Sequence, residues 1–244
     1  MEKNNKMRLL FLASFNDKLP FGGGDYYIYK LAENLAMRGH KVTMFWVDLT
    51  NFKSQSNNLV TRKKFYVKER FRGTSRINKY LENIYDYFSL EKYIKKNSQK
   101  IDYIVGYQTR QAIKATKYGR KYRIKVANFI FETPELLSES NSFRDIQNNL
   151  RWSQTWSNFK SSLISSDLLF SISDLTKESA EKWFDKNINE VIPPGLKPDN
   201  FIKKPSNSNH IIYVGRLEKS KRVDVLIEAL SKIKNHPKLI ICGF

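Results

Sequence analysis

Two short stretches carry residues whose type and spacing suit phosphate chemistry. The first is Gly22-Gly23-Gly24, between an apolar run at Met7–Ser14 and a segment of helical period. Glycines there leave backbone N–H groups unshielded, and a following helix adds the positive end of its dipole, so an anion can be cradled. Neither the G-x-G-x-x-G nor the G-x-x-x-x-G-K-[ST] spacing is present, so dinucleotide-type and P-loop readings lose support. The same glycines suit a flexible turn that needs positive φ. The second stretch is Val214-Gly215-Arg216-Leu217-Glu218-Lys219-Ser220-Lys221-Arg222. Here a strand ends at Gly215, and Arg216 and Lys221 flank the turn into the next helix. In open α/β sheets ligands sit at the carboxyl ends of strands, where two fixed cations stabilise a departing pyrophosphate. A solvated basic loop accounts for the same residue types.

Positioning these stretches requires a regular frame, and the hydrophobic pattern supplies one. Strand-length apolar runs alternate with longer segments of helical period, the pattern of βαβ units and a mostly parallel sheet. Strands are expected at Met7–Ser14, Lys41–Val47, Ile101–Val105, Val126–Phe131, Leu168–Ser171, Glu190–Ile192, Ile211–Val214 and Leu239–Cys242. Helices are expected from Asp25 to about Arg38, and near Ile77–Lys96, Gln111–Tyr118, Phe143–Ile164, Leu175–Phe184 and Val223–Ile233. The fold class is therefore α/β, with a doubly wound, Rossmann-like parallel sheet. Residues 197–209, rich in Pro, Asn, Ser and Lys, read as a linker. That gives a first domain over 1–196 and the beginning of a second over 210–244. Two strands and one helix bury too little apolar surface to stand alone, so the second domain is expected to be incomplete as the sequence stands.

Composition limits the partners. The 244 residues carry 43 Lys and Arg against 24 Asp and Glu, a net +19, which calls for an anionic partner. The surplus is densest over Thr61–Arg76 and Arg110–Lys125, both interleaved with aromatics. An anionic membrane surface met by Arg62–Arg76 fits that mixture, as does a solvated lysine-rich face. A nucleic-acid partner is not expected: the chain has no helix-turn-helix, RRM or KH pattern, and its acids are dispersed among the bases. One cysteine, Cys242, excludes an internal disulfide, and three histidines, His40, His210 and His236, leave a Cys/His zinc site short of ligands. No apolar run approaches the ~20 residues of a membrane span. The expectation is a cytoplasmic protein, peripheral at the membrane face, without a bound metal.

The stretch GGGDYYIYKLAENLAMRGHKVTMF (22–45) resembles the N-terminal signature of the GT-B retaining glycosyltransferases of family 4. IIYVGRLEKSKRVDVLIEAL (211–230) resembles the start of that family's second Rossmann domain. FSISDLTKESAEKW (170–183) and VIPPGLKPDNF (191–201) are similar to two further family segments, and the four occur in the family's order. The resemblance implies a sugar transfer from a nucleotide-diphosphate sugar to a glycan or lipid-linked acceptor, with retention, and with no metal or other cofactor. Carried over by motif, Gly23 and Gly24 would approach the donor phosphates and the acceptor, and Arg216 and Lys221 would hold the diphosphate. His40 belongs to the RGH turn and is expected to be structural. Ser173 either faces the cleft or caps a helix. Trp152 and Trp156, four apart on one helix, are expected to pack rather than to stack on sugar.

Two departures accompany the resemblance. The family histidine at the end of a middle strand is missing, because Val126–Phe131 runs into Glu132-Thr133-Pro134-Glu135. Glu132 is the substitute, a carboxylate able to accept a proton or hydrogen bond from an acceptor hydroxyl; it is also suited to being a surface or capping acid. The family's E-x7-E glutamates and nucleoside pocket would lie beyond Phe244. This sequence alone is therefore expected to turn over little, and a non-catalytic Rossmann-like binding subunit is the alternative reading.

Overall fold

The computed structural model describes residues 6–13, 23–48, 60–66, 88–132, 146–195 and 209–243; for 46–48, 62–66, 146–153, 155 and 220 it describes the backbone alone. The chain divides into two compact units, Met1–Gly195 and Leu196–Phe244.

In the first unit β1 (Arg8–Leu12) leads to α1 (Gly23–Met37) and β2 (Lys41–Asp48), followed by β3 (Thr61–Tyr66). Helical residues 88–97 (α2) precede β4 (Tyr103–Tyr107), α3 (Gln108–Tyr122) and β5 (Lys125–Ile130). Then come α4 (Ile146–Ile164), β6 (Leu168–Ser171), α5 (Asp174–Phe184) and the two-residue β7 (Glu190–Val191). All seven strands are parallel, in the order β3-β2-β1-β4-β5-β6-β7. Strand order reverses between β1 and β4, the switch point at whose carboxyl edge doubly wound folds bind ligands.

Alternation along the strands divides the core into two faces. Leu9 and Phe11 of β1 pack with Ile28 and Ala32 of α1 on one side, and Leu10 and Leu12 pack with Leu90 and Ile94 of α2 and Ala115 and Tyr118 of α3 on the other. Successive side chains of a strand point to opposite faces, so continuous apolar runs such as RLLFL are what a doubly covered strand needs. A third cluster joins α4 and α5 to the sheet through Phe159, Leu163, Leu169, Ala180 and Phe184.

The strand Thr61–Tyr66 corrects the sequence reading, in which this stretch is only part of a basic, aromatic face. It pairs with β2 from Thr43↔Thr61 to Asp48↔Tyr66 and forms one edge of the sheet. An edge strand has one paired side, and Lys and Arg on it discourage sheet-to-sheet association. Residues 67–76 of the basic stretch lie outside the described residues.

The second unit holds β8 (His210–Val214), a 3₁₀ turn at Lys219–Lys221, α6 (Val223–Ser231) and β9 (Lys238–Cys242). Its strands pair in parallel from His210↔Lys238 to Val214↔Cys242. Ile212 and Val214 are 62% and 77% exposed, whereas Ile211, Tyr213, Leu239 and Ile240 are partly buried, so this two-stranded sheet leaves one set of apolar side chains in solvent.

Candidate functional site

Two helix heads stand at the carboxyl edge of the first unit's sheet. The α1 head begins at Gly23 itself. Both Gly23 and Gly24 have helical backbone; among described glycines only Gly39 has positive φ. The flexible-turn alternative is therefore unnecessary at these two positions, and Gly22 lies outside the described residues. The two glycines differ in surroundings. A Cβ at Gly24 would stand 2.7 and 2.9 Å from the Phe131 ring and 3.5 Å from Gln108 Nε2, whereas no described residue lies within 4 Å of one at Gly23. Gly24 is thus a close-packing glycine, and Gly23 a glycine facing open space.

Next on α1, Asp25 supplies the acid that a helix N-terminus favours. The hydroxyl of Tyr107, fully buried at the end of β4, donates to Asp25 Oδ1 at 2.8 Å. Tyr27 donates to the Ile192 carbonyl at 2.8 Å, and its ring meets Phe131 edge-on at 5.5 Å and Phe129 at 6.0 Å. Burial pushes the Tyr27 phenol up to about 12. These bonds tie the α1 head to the ends of β4 and β7, and an aromatic wall of Tyr27, Tyr107, Phe129 and Phe131 results.

The α3 head follows β4 with no loop. Tyr107 is its N-cap and makes no side-chain bond to the helix N–H groups; the first turn holds no acid. Gly106 makes this tight entry possible. A Cβ there would run into Asn128 Oδ1 and stand 2.8 Å from both the Ala112 Cα and the Gln111 carbonyl oxygen. Asn128 is fully buried on β5; its Nδ2 donates to Ser166 Oγ at 2.7 Å and Thr116 Oγ1 at 3.2 Å. Its Oδ1 is a buried acceptor with no hydrogen-bond partner among the described residues. Between the α3 head and the end of β5 opens a cleft of about 390 Å³, lined by Gln108, Thr109, Arg110, Gln111, Phe129, Ile130, Phe131, Glu132 and Phe159.

Glu132, the sequence-derived candidate base, is exposed on the rim of this cleft. Gln108, Arg110 and Gln111 were not singled out by the sequence, which starts this helix at Gln111; the run of polar residues directly after Tyr107 was the available signal. Ser173 is a helix cap, its Oγ accepting from the Thr176 N–H at 3.2 Å. His40 is structural: the Met7 N–H donates to its Nδ1 at 3.2 Å, next to the amino end of β1. Trp156 packs on Phe159, Phe184 and Trp183 at ring separations of 5.8, 6.2 and 6.3 Å, while the Trp152 side chain lies outside the described residues.

In the second unit Gly215 closes β8, and the exposed Arg216 guanidinium pairs with Glu218 at 2.7 Å. Lys221 is exposed at the end of the 3₁₀ turn, its N–H bonded to the Glu218 carbonyl at 2.9 Å. Both sites follow the carboxyl end of a parallel strand, as the sequence reading requires of each. No group of His, Cys, Asp and Glu among the described residues could hold a metal ion. No described helix is long and apolar enough to cross a membrane.

The sequence model of the family described as "Glycosyl transferases group 1" matches residues 197–243. No curated protein matches the chain. Among solved structures, sucrose-phosphate synthase from Thermosynechococcus elongatus is 15% identical, with a TM-score of 0.72 over 97% of this chain and 62% of its own. Anabaena HepE in complex with UDP is 13% identical, with a TM-score of 0.63 over 98% of this chain and 62% of its own. UGT2 from Phytolacca americana, complexed with UDP-2fluoro-glucose and pterostilbene, is 11% identical, with a TM-score of 0.59 over 96% of this chain and 71% of its own. The chain thus has the Rossmann-like α/β fold of these GT-B proteins and spans less than two thirds of the length of the first two.

Proposed function

We propose that the chain is the acceptor-side domain, with the opening of the donor-side domain, of a retaining glycosyltransferase that uses a nucleotide-diphosphate sugar and no metal. One observation carries the proposal: the family match falls on the stretch holding Arg216 and Lys221, within a chain whose fold is that of the GT-B proteins. In this reading Arg216 and Lys221 balance the charge that develops on the diphosphate as the bond to the anomeric carbon breaks. Gly23, with open space at its Cα, admits the donor phosphates to the N–H groups at the α1 head. Glu132 takes a hydrogen bond or proton from the acceptor hydroxyl that forms the new bond to that carbon. The acceptor is a glycan or a lipid-linked glycan, and Arg62–Arg76 rests on an anionic membrane in the cytoplasm.

In this reading further polypeptide covers the exposed Ile212, Val214 and Ile241 during catalysis. The test is consumption of UDP-, GDP- and ADP-sugars by the full-length gene product. Turnover with one donor, abolished in Arg216→Ala or Lys221→Ala, supports the reading. Donor binding without turnover would make the protein a non-catalytic binding subunit, and turnover indifferent to both substitutions would refute the assignment of the cations. Failure of the protein to sediment with anionic liposomes at low salt would remove the membrane from the proposal.

A further inference from the structure

The cleft at the α3 head is chemically two-sided. One wall is the first turn of a 15-residue helix with no capping side chain at its N-cap and no acid, so among the described residues nothing compensates its N–H groups or the positive end of its dipole. A cation is the wrong neighbour for such a terminus, yet Arg110 stands in that turn, exposed and with no ion pair among the described residues. Beside it Gln111 is only 6% exposed and lines the cleft, yet its side chain makes no hydrogen bond among the described residues. The Gln111 amide is not among the sealed and partnerless side-chain atoms of the described residues, so it keeps an opening to solvent through the cleft. Its amide is therefore offered to whatever occupies the cleft. On the opposite wall stand Phe131 and Glu132, over a floor that includes Ile130 and Phe159.

We infer that the α3 head seats an anionic group, carboxylate or phosphate, carried by the sugar acceptor. Arg110, the N–H groups of the first turn and the Gln111 amide bind it, and the sugar's reacting hydroxyl lies toward Glu132. Calling this ligand the acceptor rests on the glycosyl-transfer reading; the anion site itself does not. Charge fixes the orientation: among the described lining residues the one acid, Glu132, is on the strand side, and the one cation, Arg110, is on the helix side. A volume of about 390 Å³ lies at the small end of ligand sites, which run from ~300 to ~1,000 Å³, and suits one charged sugar unit.

The test uses the ¹⁵N-labelled full chain titrated with glucuronate, glucose 6-phosphate and glucose, read at the backbone amides of residues 108–111 and the side-chain amide of Gln111. The expected result is saturable shifts with at least one charged sugar and none with glucose. Those shifts should weaken roughly 10- to 100-fold in Arg110→Gln, as for loss of one charge-assisted hydrogen bond, and should fall with added salt. Whichever anion binds tighter identifies carboxylate or phosphate as the natural group. Equal shifts with glucose, no shifts with any probe, or unchanged affinity in both Arg110→Gln and Gln111→Met would overturn the inference; a wild-type spectrum elsewhere verifies that each variant is folded. No donor or turnover enters the readout. Anion binding without transferase activity would therefore leave this site standing and remove the functional reading, and activity without anion binding would do the reverse.

Discussion

Gly23 and Gly24 are neighbours of one residue type in one helical turn, and they should respond to alanine in opposite ways. At Gly23 a new methyl meets none of the described residues within 4 Å, and the backbone is already helical. Alanine there removes unfolded-state freedom and should stabilise the fold by up to about 1 kcal/mol. At Gly24 the methyl would stand 2.7 Å from the Phe131 ring, about 1 Å inside a comfortable carbon–carbon separation. Phe131 cannot turn away freely, because it also meets Tyr27 at 5.5 Å and Tyr107 at 5.8 Å. Overpacking of this kind costs about 1–3 kcal/mol; the helical gain of alanine offsets part of it and leaves a net loss of about 1–2 kcal/mol. For a protein of this size that lowers Tm by roughly 2–8 °C. Thermal unfolding of both variants, alongside titration with nucleoside diphosphates, separates the two roles. Gly23→Ala should unfold at or above the wild-type temperature and yet bind the diphosphate at least several-fold more weakly, since its methyl fills the space through which phosphate reaches the N–H groups. Unchanged affinity in Gly23→Ala would refute the phosphate cradle, and a Gly24→Ala protein as stable as wild type would refute the packing argument.

Three further outcomes follow from the same physics. Gly106→Ala places a methyl against Asn128 Oδ1 and two backbone atoms of α3 that cannot yield, so chemical denaturation should show a loss of about 3 kcal/mol or more, far above that of the unobstructed Gly195→Ala. Ser173→Ala removes the N-cap of α5 and should cost about 1 kcal/mol in the same assay while leaving donor and acceptor binding unchanged. Tyr27 keeps its proton in the folded state up to about 12, against 10.0 unfolded. The stability difference between wild type and Tyr27→Phe should therefore be constant at neutral pH and fall in wild type as pH rises from 10 towards 12. The fall stays below about 2 kcal/mol because the side chain keeps some contact with solvent, and a difference indifferent to alkaline pH would refute the burial of the phenol.

Most of the first unit's frame was legible because its strands are covered on both faces. RLLFL, YIVGY and KVANFI are near-continuous apolar runs, and their lengths and the helical segments between them leave little choice but a parallel, doubly wound sheet. What failed was the edge. TRKKFY carries three cations in six residues, and one strand neighbour is enough to hold it by main-chain hydrogen bonds that no hydropathy pattern reports. The start of α3 was misplaced by three residues for a related reason. Gln108 enters the helix with φ at 55° and no capping side chain, so neither the Ser/Thr/Asp/Asn signal nor a break in polarity marks the boundary.

The site divides along the same line. Gly23, Arg216 and Lys221 stand out in the sequence as candidates because glycine and cation types at strand-to-helix turns have few uses, and their roles belong to the proposal. Gln111 could not, since a glutamine reads as surface unless its burial is known, and its burial depends on Gly106 letting α3 descend onto β5. Asn128 shows how narrow that tolerance is: its amide fills the gap that the missing Cβ leaves and ties β5 to Thr116 of α3 and to Ser166 beyond α4. One glycine thus sets the height of the helix head, the height sets which amide is buried, and the buried amide sets what the cleft can bind. A larger residue at 106 should alter anion binding at 108–111 even where the protein remains folded, because the head would rise and carry Arg110 and Gln111 with it.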